Sequence, residues 1–411
     1  MSIIKDINLA PSGEMKINWV ERNMPVLRGI GRRFSEEKPF KGLKVALSVH
    51  LEAKTAYLCR VMEMGGAEMY VTGSNPLSTQ DDVAAALAAG GMNVFAEYGC
   101  TEQQYEDCLR EVLKIGPNII IDDGGDLVHL MHEEFADLIP GVIGGCGGRT
   151  TGLNRLRIMS AAGALRFPMV MVNDADCKHM FDNRYGTGQS VWDGICRTTN
   201  LIIAGKYVVI SGYGWCGKGV SLRAKGLGAK VIVTETDPIR ALEAVMDGYE
   251  VMPMKEAAKI GDIFCTVTGG RDIITAEHFP PMKDGAILSN AGHFNVEVDM
   301  AALEKMAVKK YEARHNIQGY VMPDGRTLFT IAEGRLVNLA AADGHPAEIM
   351  DMSFAIQALS AKYLADNRGR LEADVVSVPR EIDYEVARCK LDAMGVGIDS
   401  LSREQAEYLG K

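Results

Sequence analysis

A glycine pattern and a handful of scattered polar side chains carry most of the chemistry this sequence offers. In VVISGYGWCGKG (Val208–Gly219) the spacing Gly212-x-Gly214-x-x-Gly217 follows a β-branched run and opens a helical pattern. Only glycine lets a backbone turn that tightly and approach a pyrophosphate, whose charge a helix N-terminus favours. Trp215, Cys216, Lys218 and Gly219 belong to the same candidate cofactor turn. Glu235 ends the next strand pattern, 23 positions after Gly212. A carboxylate there accepts from ribose hydroxyls and repels a 2′-phosphate, so NAD is expected. Arg240, five residues further on, keeps NADP as the alternative.

A hydride carrier works beside groups that move protons. His50 follows KVALSV, Asp123 follows NIIID, and Asn173 with Asp174 follows MVMV, so three strand patterns end on polar side chains. Ligands of open α/β sheets bind outside those carboxyl ends. Lys178 and Asp182 stand four apart and share a face if helical. A lysine desolvated in a cleft can serve as a base. In NAGHF (Asn290–Phe294), His293 ends a strand of the cofactor half and is expected to face the nicotinamide, with Ala291 and Gly292 in its turn. His129 and His132 in HLMH lack a third ligand nearby, so no metal is expected.

The elements that must position these residues are legible as two series. KVALSV, EMYVT, NVFAE, NIIID and MVMVN form the first, and YVVIS, KVIVTE, DIFCTVT and AILSN the second, each alternating with helical patterns. The expected fold class is α/β, with two doubly wound parallel sheets. Behind Pro346, apolar residues at Ile349, Met352, Ile356, Leu359 and Tyr363 recur every three or four positions and predict one long amphipathic helix. Its return to the first sheet would make that domain discontinuous: 1–183 with 346–390, a cofactor domain at 184–345, and a short helical segment at 391–411.

Composition bounds the partners. The chain has 411 residues, 47% hydrophobic and 24% charged, enough for two or three domains. A net charge of -10 argues against nucleic acid and anionic membranes as partners, and a small molecule is expected. Nine cysteines without a CxxC pair, and no signal-like start, predict a cytoplasmic location. No apolar run approaches the roughly 20 residues that span a bilayer.

HLEAKTA, NPLSTQDD, IDDGGDL, VND with FDNRYG, GYGWCGKG, NAGHFNVE and EGRLVNLAAADGHP occur in this order over nearly the whole chain. In these motifs the sequence resembles the S-adenosylhomocysteine hydrolase family. The resemblance implies a substrate domain with an inserted Rossmann NAD domain, a C-terminal segment used in oligomers, and a homotetramer. It implies hydrolysis of the nucleoside thioether by transient oxidation of the 3′-hydroxyl, elimination of homocysteine and addition of water. Lys178, assisted by Asp182, is then the base at the 3′-hydroxyl. Asp123 and His50 serve the C4′ proton, the sulfur and the water, in an order the spacing leaves open, and His293 contacts the 3′-oxygen. Thr150, Thr151, Asn183, Glu235, Asn338 and His345 match the family's NAD contacts, and Glu52, Lys54, Asn173 and Gly148 face the substrate.

Four features depart from the usual pattern. GGRTTG (Gly147–Gly152) puts Gly148 where a carboxylate would hold a ribose hydroxyl, and restoring Glu there is expected to tighten binding. Thr187 replaces a frequent Cys, and Glu52 and Lys54 replace a Thr and a Glu. The chain ends at YLGK, so each NAD site is expected to depend less on a neighbouring protomer. The adenosyl substrate is expected. The alternatives are S-inosylhomocysteine and a weakly active NAD-binding paralogue.

Overall fold

The computed structural model describes residues 2–148, 150–292 and 294–410, and within them not the side chains of Thr150, Thr151 and Asn154. The contacts expected of His293, Thr150 and Thr151 therefore fall outside the described residues.

Seven strands come first: β1 (Ile3–Ile4), β2 (Lys44–Ser48), β3 (Glu68–Thr72), β4 (Asn93–Ala96), β5 (Ile119–Asp122), β6 (Gly144–Gly147) and β7 (Met169–Met171). They lie in the order β1-β4-β3-β2-β5-β6-β7, all parallel. Their central residues are apolar throughout because both faces are covered. Val45, Leu47, Ile119 and Ile121 enter one core, while the alternate residues Ala46 and Ile120 enter another on the opposite face.

The second sheet holds β8 (Tyr207–Ser211), β9 (Lys230–Thr234), β10 (Glu250–Val251), β11 (Ile263–Thr266), β12 (Ile287–Asn290), β13 (Lys309–Arg314), β14 (Ile317–Val321) and β15 (Thr327–Ile331). Its order is β10-β9-β8-β11-β12-β15-β14-β13. Here the expectation of a wholly parallel sheet needs correction, because β14 runs antiparallel to both β13 and β15. Every residue of β13 is exposed. Its sequence KKYEAR is that of a charged edge strand, which blunts edge-to-edge pairing and leaves no apolar run to read.

The long helix forms over Ala347–Asp366, directly behind Pro346. Ile356, Leu359 and Leu364 pack into the core of the first sheet. Asp351 anchors the helix from its other flank, accepting the backbone N–H groups of Val26 at 3.2 Å and Leu27 at 2.8 Å. The chain then adds a last parallel strand, β16 (Val375–Ser377), beside β7.

Each sheet reverses its winding once, between β2 and β5 in the first and between β8 and β11 in the second. Such reversals leave a crevice at the carboxyl ends of the two central strands. Both crevices open on the same cavity. Among the described residues no helix is long and apolar enough to cross a membrane.

Candidate active site

A cavity of about 610 Å³ is lined by His50, Asp123 and Lys178 from the first half and by Gly214, Thr268 and Gly292 from the second. The dinucleotide turn and the polar strand ends are thus brought to one space.

Lys178 and Asp182 lie where a short helical turn, Asp176–Lys178, passes into a π-helical stretch, His179–Gly186. Closure from residue i to i+5 puts residues four and five positions on above the same point. Accordingly Lys178 Nζ lies 3.3 Å from Asp182 Oδ1 and donates to Asn183 Oδ1 at 2.7 Å. Asn183 Nδ2 in turn donates to Asn173 Oδ1 at 3.2 Å. His345 Nδ1 stands 2.9 Å from Asp182 Oδ1, and Ser353 Oγ donates to Asp182 Oδ2 at 2.7 Å. Burial alone would push the Asp182 carboxyl up, but the Lys178 and His345 charges and the two hydrogen bonds hold it well below the usual carboxylate range. Asp182 is therefore an anion fixed from three sides, and it orients the lysine. Thr187 Oγ1 extends the chain of contacts to His345 Nε2 at 3.3 Å and Cys216 Sγ at 3.6 Å.

His50 and Asp123 stand at the first reversal point, behind the adjacent strands β2 and β5. Both are buried, at 4% and 8% exposure. Ser74 Oγ meets His50 Nδ1 at 2.9 Å, which fixes the ring, and Asp123 N donates to Ser48 O at 3.0 Å. The neighbouring Asp122 has a different task, accepting from Gly125 N and Val128 N at 2.9 Å each. Burial, with Asp126 nearby, pushes its carboxyl up to about 7.

Glu52 caps the helix Ala53–Met64, accepting from Lys54 N at 3.0 Å and Thr55 N at 3.3 Å. The Lys54 ammonium lies 2.6 Å from Glu52 Oε2 and donates to Asp343 O at 3.0 Å. Gly148 is occupied closely from one side: a Cβ there would stand 2.4 Å from Asp123 Oδ1. A side chain restored at 148 meets the flexible end of Asp123, which has to shift to make room. Gly148→Glu is expected to lower kcat, by about tenfold or more if Asp123 shifts by near 1 Å, alongside whatever it gains in substrate affinity. Steady-state kinetics showing unchanged kcat with a lower KM would leave only the tightening expected from the sequence.

In the cofactor half the glycines have separate reasons. Gly212 turns at φ +101°, and a Cβ at Gly217 would lie 1.9 Å from Gly212 O. At Gly214 the nearest atom to an added Cβ is Arg240 Nη1 at 3.8 Å, so this glycine borders open space. No side chain caps the helix Trp215–Gly226, whose first residues line the cavity. Glu235 accepts from Tyr213 N and Thr236 N at 2.7 Å each and from Asp237 N at 3.1 Å. Its burial acts upward, yet these donors and Arg240 hold the carboxyl low. Lys218 turns away to pair with Glu243 at 2.6 Å. Asn338 donates through Nδ2 to Ser190 Oγ at 3.0 Å, while its Oδ1 is buried without a partner. An uncapped helix end, an open glycine and an orphaned amide oxygen fit a dinucleotide carrying a carboxamide.

Sequence reasoning missed the groups that shape this half. Asn290 Nδ2 donates to Phe294 O at 2.9 Å and Gly334 O at 2.8 Å, while its Oδ1 accepts from Gly292 N at 2.7 Å. Buried Glu297 accepts from Thr268 N at 3.0 Å and Gly269 N at 2.8 Å, holding the loop behind β11 against the cavity. Asn290 and Glu297 bracket the histidine motif in the sequence, the one signal that pointed to them. His132, by contrast, is structural: its ring nitrogens meet Val128 O at 2.7 Å and Arg166 N at 3.1 Å.

The model of S-adenosyl-L-homocysteine hydrolase matches residues 2–139, and that of the NAD binding domain of S-adenosyl-L-homocysteine hydrolase matches residues 183–344. The chain belongs to the S-adenosyl-L-homocysteine hydrolase family. It is 59% identical to an adenosylhomocysteinase of Thermococcus kodakarensis, covering 99% of this chain and 96% of that one. It is 56% identical to an S-inosyl-L-homocysteine hydrolase of Methanococcus maripaludis, covering 100% and 98% respectively. A dipicolinate synthase chain from Bacillus halodurans shares the fold alone, at a TM-score of 0.50 and 16% identity over 80% of this chain and 99% of that one. Membership in the hydrolase family makes NAD the cofactor of the dinucleotide site and a nucleoside thioether the class of substrate.

Proposed function

We propose that this chain hydrolyses S-adenosyl-L-homocysteine to adenosine and L-homocysteine. The observation that carries the reading is the Lys178 Nζ held between Asp182 and Asn183 on the cavity that the dinucleotide turn also lines. The C5′–S bond of a thioether has a poor leaving group and no acidic neighbour. NAD, when bound, accepts the hydride of C3′ and returns it at the end. Lys178 takes the 3′-hydroxyl proton, with Asp182 keeping its nitrogen in place. Once C3′ is a ketone, the C4′ proton is acidic, and Asp123 or His50 removes it. The electron pair then expels homocysteine as the C5′–S bond breaks. Water adds its hydroxyl to C5′ and leaves a proton for the homocysteine thiolate, the same residues return the proton to C4′, and Lys178 gives its proton back to the 3′-oxygen at the end.

Supporting residues follow from their places. Glu235 and Asn338 hold the cofactor, while Gly214 and Trp215 border its phosphates. In domain terms we take 1–183 with 346–390 as the substrate unit, 184–345 as the cofactor unit and 391–411 as an assembly segment. Nine cysteines with no disulfide among the described residues suit the reducing cytoplasm. A homo-oligomer, a tetramer in this reading, is supported by Ile239, Leu242, Val245 and Met246, all exposed on the helix Pro238–Met246. Light scattering should give an assembled particle, and a fully active monomer would reject it.

One observation favours a second purine. The Glu52 carboxylate is already engaged by its helix and by Lys54, whereas the Lys54 ammonium has two partners and a third N–H. A donor facing the base suits the 6-oxo group of S-inosyl-L-homocysteine. Homocysteine release from both thioethers by the protein as purified decides between them. An inosyl kcat/KM more than about tenfold above the adenosyl value, some 1.4 kcal/mol, selects the second reading. Release from neither would end both.

A further inference from the structure

The long helix Ala347–Asp366 lays Met350, Ser353, Phe354 and Gln357 along the cavity, at the spacing of one helical face. Ser353 has its partner in Asp182. Gln357 has none for its nitrogen: the side chain is 4% exposed, and Nε2 is buried without a hydrogen-bond partner. Ser360 Oγ is also unpartnered on this helix, but Ser360 does not line the cavity, so only Gln357 offers its group to a ligand. An amide left unpaired in a protein interior is unfavourable, and its place on a ligand cavity supplies the reason to keep it.

The surroundings indicate what it meets. Gln357 Oε1 stands 3.8 Å and Asp123 Oδ1 2.4 Å from the point where a Cβ at residue 148 would be. The two side chains flank one small space whose floor is Gly148. One turn earlier, the same helix fixes Asp182 and through it Lys178. We propose that Gln357 binds the 2′-hydroxyl of the nucleoside, donating from Nε2 to its oxygen. The assignment rests on the reading that Lys178 and Asp182 serve the 3′-hydroxyl, since the adjacent oxygen of the ribose then falls toward the next turn of the helix. A hydroxyl both donates and accepts, as an amide does. A neutral amide also spares Asp123 a like charge, which a carboxylate rooted at 148 would place against it. Gln357 is thereby a substrate-binding residue supplied from a different element than position 148.

The test compares nucleosides that differ in this hydroxyl. Adenosine, inosine and their 2′-deoxy forms are titrated calorimetrically into the NAD-containing protein and into Gln357→Leu and Gln357→Met, with melting temperature and retained NAD as folding controls. The native protein should bind the better ribonucleoside at least about tenfold more tightly than its 2′-deoxy form. In both variants that ratio should fall below about threefold, through weaker ribonucleoside binding and nearly unchanged 2′-deoxy binding. A native protein that does not discriminate overturns the assignment without any variant. So does a folded Leu or Met variant that keeps the full ratio, or one that loses both nucleosides equally. Homocysteine release is followed in parallel. Its absence from the native protein sinks the hydrolase reading, whereas release with an unchanged ratio sinks only the role of Gln357.

Discussion

Lys178→Ala is expected to lower homocysteine release by about 10²–10⁴-fold, the range for removing a positioned base, and to do so before any absorbance of reduced nicotinamide develops. Asp123→Ala should lose a comparable factor at a later point. In that variant the first proton still has its acceptor, because Lys178 Nζ keeps Asp182 and Asn183 as its partners. A single turnover of the NAD-containing protein should therefore show the reduced-nicotinamide band rising and persisting, with little homocysteine released. The separation follows from geometry: Lys178 is fixed by a π-helical stretch behind β7, and Asp123 by the end of β5. Equal suppression of the band in both variants would remove the division of roles. A band that rises and decays normally in Lys178→Ala would remove the lysine from the mechanism.

The parts of this architecture that were readable share one property, namely that a single stretch of sequence contains the whole signal. Val208–Ser211 and its glycine turn, or Ile119–Asp122 and the DDGGD after it, combine an apolar run with its own terminator. β6 escaped because it is GGCG, whose single side chain, Cys146, forms no pattern. β13 escaped because an exposed edge has no apolar face. The site shows the same division. His50, Asp123 and Lys178 end or follow strands and can be found by position, whereas Ser74, Asn290, Glu297 and Ser353 matter through partners distant in sequence. Position 148 is the sharpest case. Its missing side chain is obvious in the sequence, yet that a Cβ there would meet Asp123, and that Gln357 lies 209 positions further along the chain beside the same space, depends on the packing of the long helix against β6. Three-dimensional proximity of this kind has no local period to reveal it.

Gly219→Ala should have the largest effect of any single methyl group in the cofactor turn, although Gly219 lies outside the dinucleotide spacing. A Cβ at this position would stand 1.7 Å from Arg184 O and 2.6 Å from Arg184 C, both backbone atoms of the π-helical stretch that carries Asp182 and Asn183. Gly188 closes the same contact from the helix Thr187–Thr199, with an added Cβ 2.7 Å from the Gly219 carbonyl carbon. Here backbone packs on backbone, and no rotamer change can relieve the overlap. The helix Trp215–Gly226 must move away by something on the order of 1 Å or more, since carbon and oxygen do not approach within about 3 Å without repulsion. Overpacking of this kind costs about 1–3 kcal/mol and more where the backbone is the obstacle. Because the segment this helix is pressed against, His179–Gly186, holds Asp182 and Asn183, a shift of about 1 Å taken up there should cost turnover about 10²-fold beyond the loss of stability. Gly214→Ala provides the contrast, for its Cβ would meet only Arg240 Nη1 at 3.8 Å. That variant should keep the melting temperature of the NAD-free protein and lose NAD affinity, because the methyl group enters the space a pyrophosphate would approach. Gly219→Ala should lower the melting temperature even without NAD. Native stability and full activity in Gly219→Ala would mean that the two helices are not packed this closely, and that the cofactor turn and the lysine cluster are not mechanically joined.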